Sequence, residues 1–190
     1  MNKLCVQDRV QILNCLSEGM GINATARITG KSNNTILKLL ADVGEACALY
    51  QDRVMVNLPC KRMQCDEIWS FVGMKEKNAT GSNKGVWGDC YTFTAIDPDT
   101  KLMPCWLVGQ RNIGCTRDFI EDLAQRLSSR AQLSTDGLSH YVDAVERSFG
   151  ADVDFGIVNK SYSHAYPSVE AKRRYSPADV VACEKKVITG

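Results

Sequence analysis

RMQCDEIWSF, residues Arg62–Phe71, sets two adjacent acids, Asp66 and Glu67, inside a run of apolar and aromatic residues that otherwise reads as a buried β-strand. Carboxylates are costly in such surroundings unless they are paired or metal-bound. Side chains alternate across a strand, so Asp66 shares a face with Gln64 and Ile68, while Glu67 shares the other with Cys65 and Trp69. Only one of the two acids can face a given site. A strand end whose acids reach water or an arginine explains the pair as readily as catalysis does, so the surrounding chain has to decide.

Downstream, Lys75–Gly85 is a polar, mildly basic turn, and Val86–Asp97 alternates aromatic and β-branched residues as a strand does. The turn Pro98-Asp99-Thr100 leads into a third strand at Leu102–Val108, completing an antiparallel meander. Thr116 can cap a helix whose Phe119, Ile120, Leu123, Ala124 and Leu127 form one apolar stripe. A short strand, Ala131–Thr135, then ends at Asp136-Gly137, and a strand reached through a helix normally runs parallel to its predecessor. A second helix, His140–Phe149 with Gly150 as its stop, leads to an alternating run at Val153–Val158.

The order β-β-β-α-β-α-β predicts an α/β mixed sheet and matches the ribonuclease H-like fold. Acids on the first strand and just past the fourth can meet in such a sheet, although Asp66 and Asp136 lie 136 − 66 = 70 positions apart. An acid followed by glycine at a strand's C-terminal end also falls where α/β sheets bind ligands. Without Asp66, Asp136-Gly137 would read as a plain turn.

Residues 1–50 read as three short helices. Val6, Val10, Leu13 and Leu16 mark the first; Ile22, Ala26 and Ile28 mark the second, roughly Ile22–Thr29. After Gly30-Lys31-Ser32, capped by Ser32 or Asn33, the third carries Ile36, Leu39, Leu40 and Val43 on its buried side. That is the helix-turn-helix pattern, and Asn33, Asn34, Thr35 and Lys38 near the start of its last helix have the chemistry to reach base edges and phosphates. An ordinary three-helix bundle with a polar face has the same pattern. The expected organisation is a helix-turn-helix module at 1–50, a connector at 51–61 and the α/β domain at 62–190.

The composition, 44% hydrophobic and 24% charged, suits a soluble protein, and no apolar run approaches the ~20 residues of a membrane span. The N-terminus lacks the apolar region of a signal peptide, which points to the cytoplasm. Nine cysteines, an odd number without Cys-x-x-Cys spacing, argue against a disulfide framework or a zinc site and are expected to be reduced and mostly buried. The net charge of +1 conceals basic ends and an acidic centre: 8 Lys/Arg against 5 Asp/Glu in 1–62, 9 against 14 in 63–159, and 6 against 3 in 160–190. Basic flanks suit a polyanion and an acidic centre suits a divalent metal.

The blocks CDEIWSFVGMKEKN (Cys65–Asn78), GDCYTFTAIDPDTKL (Gly88–Leu102), TDG (Thr135–Gly137), FGADVDF (Phe149–Phe155) and TGKSNNTILKLLADVG (Thr29–Gly44) resemble the transposase of the insertion-sequence-one family of bacterial mobile elements. The resemblance implies a helix-turn-helix that recognises terminal inverted repeats, joined to a ribonuclease H-like domain with an Asp-Asp-Glu triad. By motif match Asp66 is the first acid and Asp136 the second, both acting as ligands of Mg²⁺ or Mn²⁺ in phosphoryl transfer. The implied partners are double-stranded DNA, at the element's ends and at the target, and further copies of the chain assembled on it, in the cytoplasm at the nucleoid.

Two departures stand out. The family's zinc-binding N-terminal segment is not evident, and its third acid, in a Val-Glu-Arg-Gln-Asn motif, has no counterpart: the late glutamates Glu170 and Glu184 lie outside any such motif. The expectation is a C-terminally truncated, catalytically impaired member with Val153, Phe155 and Ile157 left partly exposed. His140 and His164 are assigned no role. Two other readings are a DNA-binding regulator that occupies the element's ends and inhibits transposition, and a ribonuclease H-type nuclease without mobility.

Overall fold

The strand that carries Asp66 and Glu67 is β1, Arg62–Val72, and it lies inside a six-stranded mixed sheet. In the computed structural model, residues 4–162 and 180–190 are described. They form a mixed α/β structure of five helices and six strands, divided into two compact units at Val54/Met55.

In the second unit β1 is followed by β2 (Gly88–Ile96), β3 (Trp106–Gly109), α4 (Ile113–Arg126), β4 (Ala131–Thr135), α5 (His140–Phe149), β5 (Val153–Tyr162) and β6 (Val180–Thr189). The spatial order is β3-β2-β1-β4-β5-β6. The β1–β2 pair is antiparallel, from Gln64↔Ile96 to Val72↔Gly88, and β2 pairs antiparallel with β3. The crossover through α4 returns the chain to β1's other edge, and β4 joins β1 in parallel from Arg62↔Gln132 to Gln64↔Ser134. A second crossover through α5 sets β5 parallel to β4.

One face of the sheet is packed beneath α4 and α5. Met63 and Cys65 of β1, Phe93 of β2, Leu133 of β4 and Phe155 of β5 form one cluster there with Phe119, Ile120 and Leu123 of α4 and Tyr141, Ala144 and Val145 of α5. The alternation read from sequence therefore selects the odd-numbered residues of β1 for the core, while Gln64, Asp66 and Ile68 meet solvent on the opposite face.

Several local expectations are corrected. The third strand starts at Trp106 rather than Leu102, because residues 97–102 close a turn of their own. Within it the Asp97 amide donates to the Leu102 carbonyl at 2.8 Å, and the Asp97 carboxylate accepts from the Asp99 amide at 2.8 Å and the Thr100 hydroxyl at 2.9 Å. The α4 cap is Asn112, whose Oδ1 accepts from the Cys115 amide at 2.9 Å; Thr116 is buried one turn in and donates to the Asn112 carbonyl at 2.8 Å. Val153, Phe155 and Ile157 are not partly exposed: α5 covers their side of the sheet, and they stand at 1%, 2% and 8% exposure.

The strand β6 was not foreseen. It pairs antiparallel with β5, and the two continue past the packed region as a ribbon with Asn159–Tyr162 and Val180–Lys186 exposed. All nine cysteines are free, but only Cys60, Cys65 and Cys105 are buried, so burial is the exception and not the rule. Desolvation pushes the Cys105 thiol up to about 12 and that of Cys65 well above its ordinary value, which keeps both protonated inside the core.

The N-terminal unit consists of α1 (Val6–Ser17), α2 (Ile22–Thr29) and α3 (Asn33–Val54) around a small core of Ile12, Ile36 and Leu39. Gly30 ends α2 in the left-handed conformation (φ 67°), the turn that glycine permits at least cost. Helix α3 is longer than expected and absorbs residues 51–54 of the anticipated connector. Ile28, Leu40, Val6 and Val10 are exposed, while Thr25 and Ile12 occupy the interior instead. No helix among the described residues is long and apolar enough to cross a membrane.

Candidate active site

Strand β4 ends at Thr135, whereas β1 continues to Val72, so one edge of β1 is left without its β4 partner where the chain turns from β4 into α5. That is the position outside a parallel strand's C-terminal end where α/β sheets offer ligand sites. Asp136 is the first residue past β4. Its Oδ1 accepts from the Leu138 amide at 2.9 Å, which fixes the turn. Gly137 follows because a Cβ there would collide with the Asn159 side chain of β5.

The other oxygen of Asp136 is held by Arg111, the residue position just beyond β3 and ahead of α4. Arg111 Nη2 donates to Asp136 Oδ2 at 3.1 Å, and its Nε donates to Glu67 Oε2 at 3.0 Å. The remaining Glu67 oxygen accepts from the Tyr141 hydroxyl of α5. One guanidinium thus bridges two carboxylates, a task for which its fixed fork of donors is suited.

Burial divides the group. The Glu67 side chain is 3% exposed, against 39% for both Arg111 and Asp136. Desolvation raises the Glu67 pKa above the usual carboxylate range and the Asp136 charge adds to the rise, while the bonds from Tyr141 and Arg111 oppose it. Burial disfavours the Arg111 charge, but Glu67 and Asp136 outweigh it and leave its pKa raised. The Tyr141 hydroxyl is raised by burial and by the carboxylate it serves, so it stays a donor.

Asp66 is on the other side of the strand, exposed, with Oδ1 accepting from the Glu67 amide at 2.8 Å. The parallel register gives its relation to Asp136: Gln64 pairs with Ser134, and both acids lie two residues further along their chains. Side-chain contacts, however, unite Asp136 with Glu67, Arg111 and Tyr141 and not with Asp66. Of these partners Glu67 was visible in the sequence as the acid on the opposite face, whereas Arg111 and Tyr141 carried no local signal that would have separated them from surface and core residues.

No protein-family model matches this chain, and no curated protein does either. Among solved structures, one that aligns with it is a cryo-EM structure of piggyBac transposase in a synaptic complex with hairpin DNA, at 11% identity and a TM-score of 0.42. The alignment covers 92% of this chain and 46% of that one, so the chain spans about half its length. A likeness of that degree carries no argument about function.

Among the described residues, no group of three or more His, Cys, Asp or Glu stands ready to hold a metal ion. Two carboxylates do suit Mg²⁺, a hard ion that often takes one or two protein carboxylates and fills its other positions with water and phosphate oxygens. Glu184 lies on exposed β6 opposite Asn159, and Glu170 and His164 lie outside the described residues.

In the N-terminal unit, the residues singled out for nucleic acid differ in their freedom. Asn33 donates to Asn23 Oδ1 at 2.7 Å, and the Thr35 hydroxyl is 2.8 Å from that of Ser32, which also accepts from the Thr35 amide at 3.3 Å and so caps α3. Lys38 is three-quarters exposed and pairs loosely with Asp42 at 3.8 Å, and Asn34 is exposed. Lys31 is held by Asp8 at 2.7 Å, tying the turn to α1.

Proposed function

We propose that the second unit is a ribonuclease H-like phosphoryl-transfer domain acting on DNA, as in insertion-sequence-one transposases, and that the three N-terminal helices are its helix-turn-helix module. The observation that supports this best is that Asp66 and Asp136 stand at one level on adjacent parallel strands, where β4 stops and β1 continues. Asp66 presents its carboxylate to solvent on the other face of β1, and Asp136 would join it on leaving Arg111, which is 39% exposed. Together they would hold Mg²⁺ or Mn²⁺. Bound there, the ion would supply Lewis-acid stabilisation of charge developing on the phosphate.

The protein's own groups have separate tasks in this scheme. Tyr141 and Arg111 hold the Glu67 carboxyl in place, and Arg111 neutralises Asp136 while no cation does. In the N-terminal unit, Asn34 and Lys38 are the most available for base and phosphate contact, with Asn33 and Thr35 reaching duplex DNA from the same helix start. Several copies of the chain would assemble on the element's ends, and the target duplex would be the second substrate.

The test is Mn²⁺ titration by calorimetry on wild type, Asp66→Asn and Asp136→Asn, with a strand-cleavage assay on DNA carrying terminal inverted repeats. The expected result is loss of metal affinity in both variants, and loss of any cleavage that the wild type shows. Equal metal affinity in all three proteins would refute the assignment. A second reading, a DNA-binding regulator, draws support from the N-terminal unit's own core of Ile12, Ile36 and Leu39. Repeat-specific gel shifts without cleavage at any metal concentration would favour it.

A further inference from the structure

The helix-covered face of β1 does not end at Glu67. Beyond the reach of α4 and α5 the same alternation brings out Trp69 and Phe71, with ring centroids 5.7 Å apart, and they remain 43% and 46% exposed. Tyr91 of β2 is the cross-strand partner of Trp69, so three aromatic rings share this part of the face. Each end of the group carries a cation. Lys75 Nζ lies 4.9 Å from the Trp69 ring centre, and Arg111 Cζ lies 5.9 Å from that of Tyr91 while also holding Glu67 and Asp136.

The turn that frames this strip, residues 73–87, adds Lys77 and Lys84 to Lys75 against one acid, Glu76. It is built to keep its place. Gly73 takes φ 71°, and any side chain there would strike the Trp87 ring, which packs over it. Asp89 Oδ1 accepts from the Glu76 amide at 3.1 Å, pinning the turn back to β2.

We propose that Trp69, Phe71 and Tyr91, with Lys75 and Arg111, form a binding strip for unpaired DNA bases that leads along the sheet to the Asp136 site. The exposed Trp69 and Phe71 rings, with the half-buried Tyr91 beside them, offer bases a π-face, and interleaved cations follow the phosphates; this is the combination by which proteins bind single strands without reading sequence. A duplex cannot use the strip, because its bases are already stacked and its edges lie in the grooves. The inference rests on the phosphoryl-transfer reading for its biological sense, since a strand freed by cleavage at an element's end is one that a neighbouring single-strand site could hold. It does not rest on that reading for its test, because binding is measured without metal.

The experiment is quenching of tryptophan emission in the full chain by an oligo-dT strand of about 12 nucleotides, at low salt with chelator present, a length within the range that such sites cover. Trp69→Ala and Lys75→Ala are titrated by anisotropy of a labelled strand, beside Ile68→Ala, which alters the opposite face of the same strand, and Trp69→Phe, which keeps a ring. Trp69→Ala is expected to weaken single-strand binding about tenfold or more and Lys75→Ala several-fold, with Trp69→Phe retaining most of the affinity and Ile68→Ala unchanged. A blunt duplex of equal length is expected to bind all five proteins alike. The proposal fails if the chain does not bind the strand, if Trp69→Ala binds it as wild type does, or if Ile68→Ala weakens it equally. If cleavage is absent while Trp69-dependent binding is present, the phosphoryl-transfer reading alone is lost.

Discussion

The face of β1 that carries Met63, Cys65 and Glu67 is packed beneath two helices, whereas the face that carries Gln64, Asp66 and Ile68 meets water. Two neighbouring carboxylates on one strand therefore live in different media. On the wet face Asp66 is solvated and needs only its neighbour's amide. On the packed face Glu67 has lost its water, and Arg111 and Tyr141 supply the hydrogen bonds that replace it. The contrast shows how neighbouring acids on one strand come to differ: Glu67 has a fixed shell of side-chain partners, and Asp66 is left to water and one amide.

The largest expected effect tests the contrast itself. Leu133→Ala, which opens a hole beneath α4 and α5, is expected to cost about 2–5 kcal/mol in urea denaturation, whereas Ile68→Ala on the wet face stays within about 0.5 kcal/mol. Similar losses in both would mean that the two faces are not as different as their burial.

Next comes Arg111→Met, which leaves Glu67 facing Asp136 with no cation between them. Removing one partner of a buried pair costs about 3–5 kcal/mol, and the partial exposure of Arg111 lowers the expectation to about 2 kcal/mol near neutral pH. Because the folded state already raises the Glu67 pKa, its contribution is most favourable below the ordinary value of 4.5 and declines as pH rises through the folded value. The variant's deficit is thus expected to shrink on acidification, and Glu67→Gln in the same background to recover most of it. A deficit independent of pH would show that Arg111 acts by packing alone.

Tyr141→Phe removes one of Glu67's donors and leaves the other, with an expected cost of about 1 kcal/mol and a further rise in the Glu67 pKa, readable by carboxyl NMR titration. The smallest stability effect is expected at Asp66→Asn, within about 0.5 kcal/mol, even though this substitution is proposed to abolish metal binding. A large loss of stability there would place Asp66 among the structural acids.

Much of the sheet was legible because alternation and turn chemistry are local properties. The run around Asp66 and Glu67, the meander, the α4 stripe and the Gly150 stop all follow from patterns within a dozen residues. The choice of face was not legible, since alternation says that Asp66 and Glu67 part company without saying which one the helices cover. Arg111 was missed because its role depends on one residue of β1 and one just past β4, 44 and 25 positions away. Strand β6 was missed because Glu184, Lys185 and Lys186 interrupt its apolar pattern: on an exposed ribbon, backbone pairing with β5 sets the strand, and side-chain burial does not.

The unequal lengths of β1 and β4 have a consequence for the main chain. From Cys65 onward β1 keeps β2 on one edge while β4 soon leaves the other, so its peptide groups alternate between a bonded side and an open one. The amide of Glu67 points to the open side, where the Asp66 carboxylate receives it; those of Trp69 and Phe71 follow at the same phase. In deuterated solvent this half of the strand is expected to exchange with a two-residue beat, fast at 69 and 71 and slow at 68 and 70. A ligand lying along that open edge would silence the beat, so exchange at two amides would report its occupancy in a protein whose substrate has not been labelled at all.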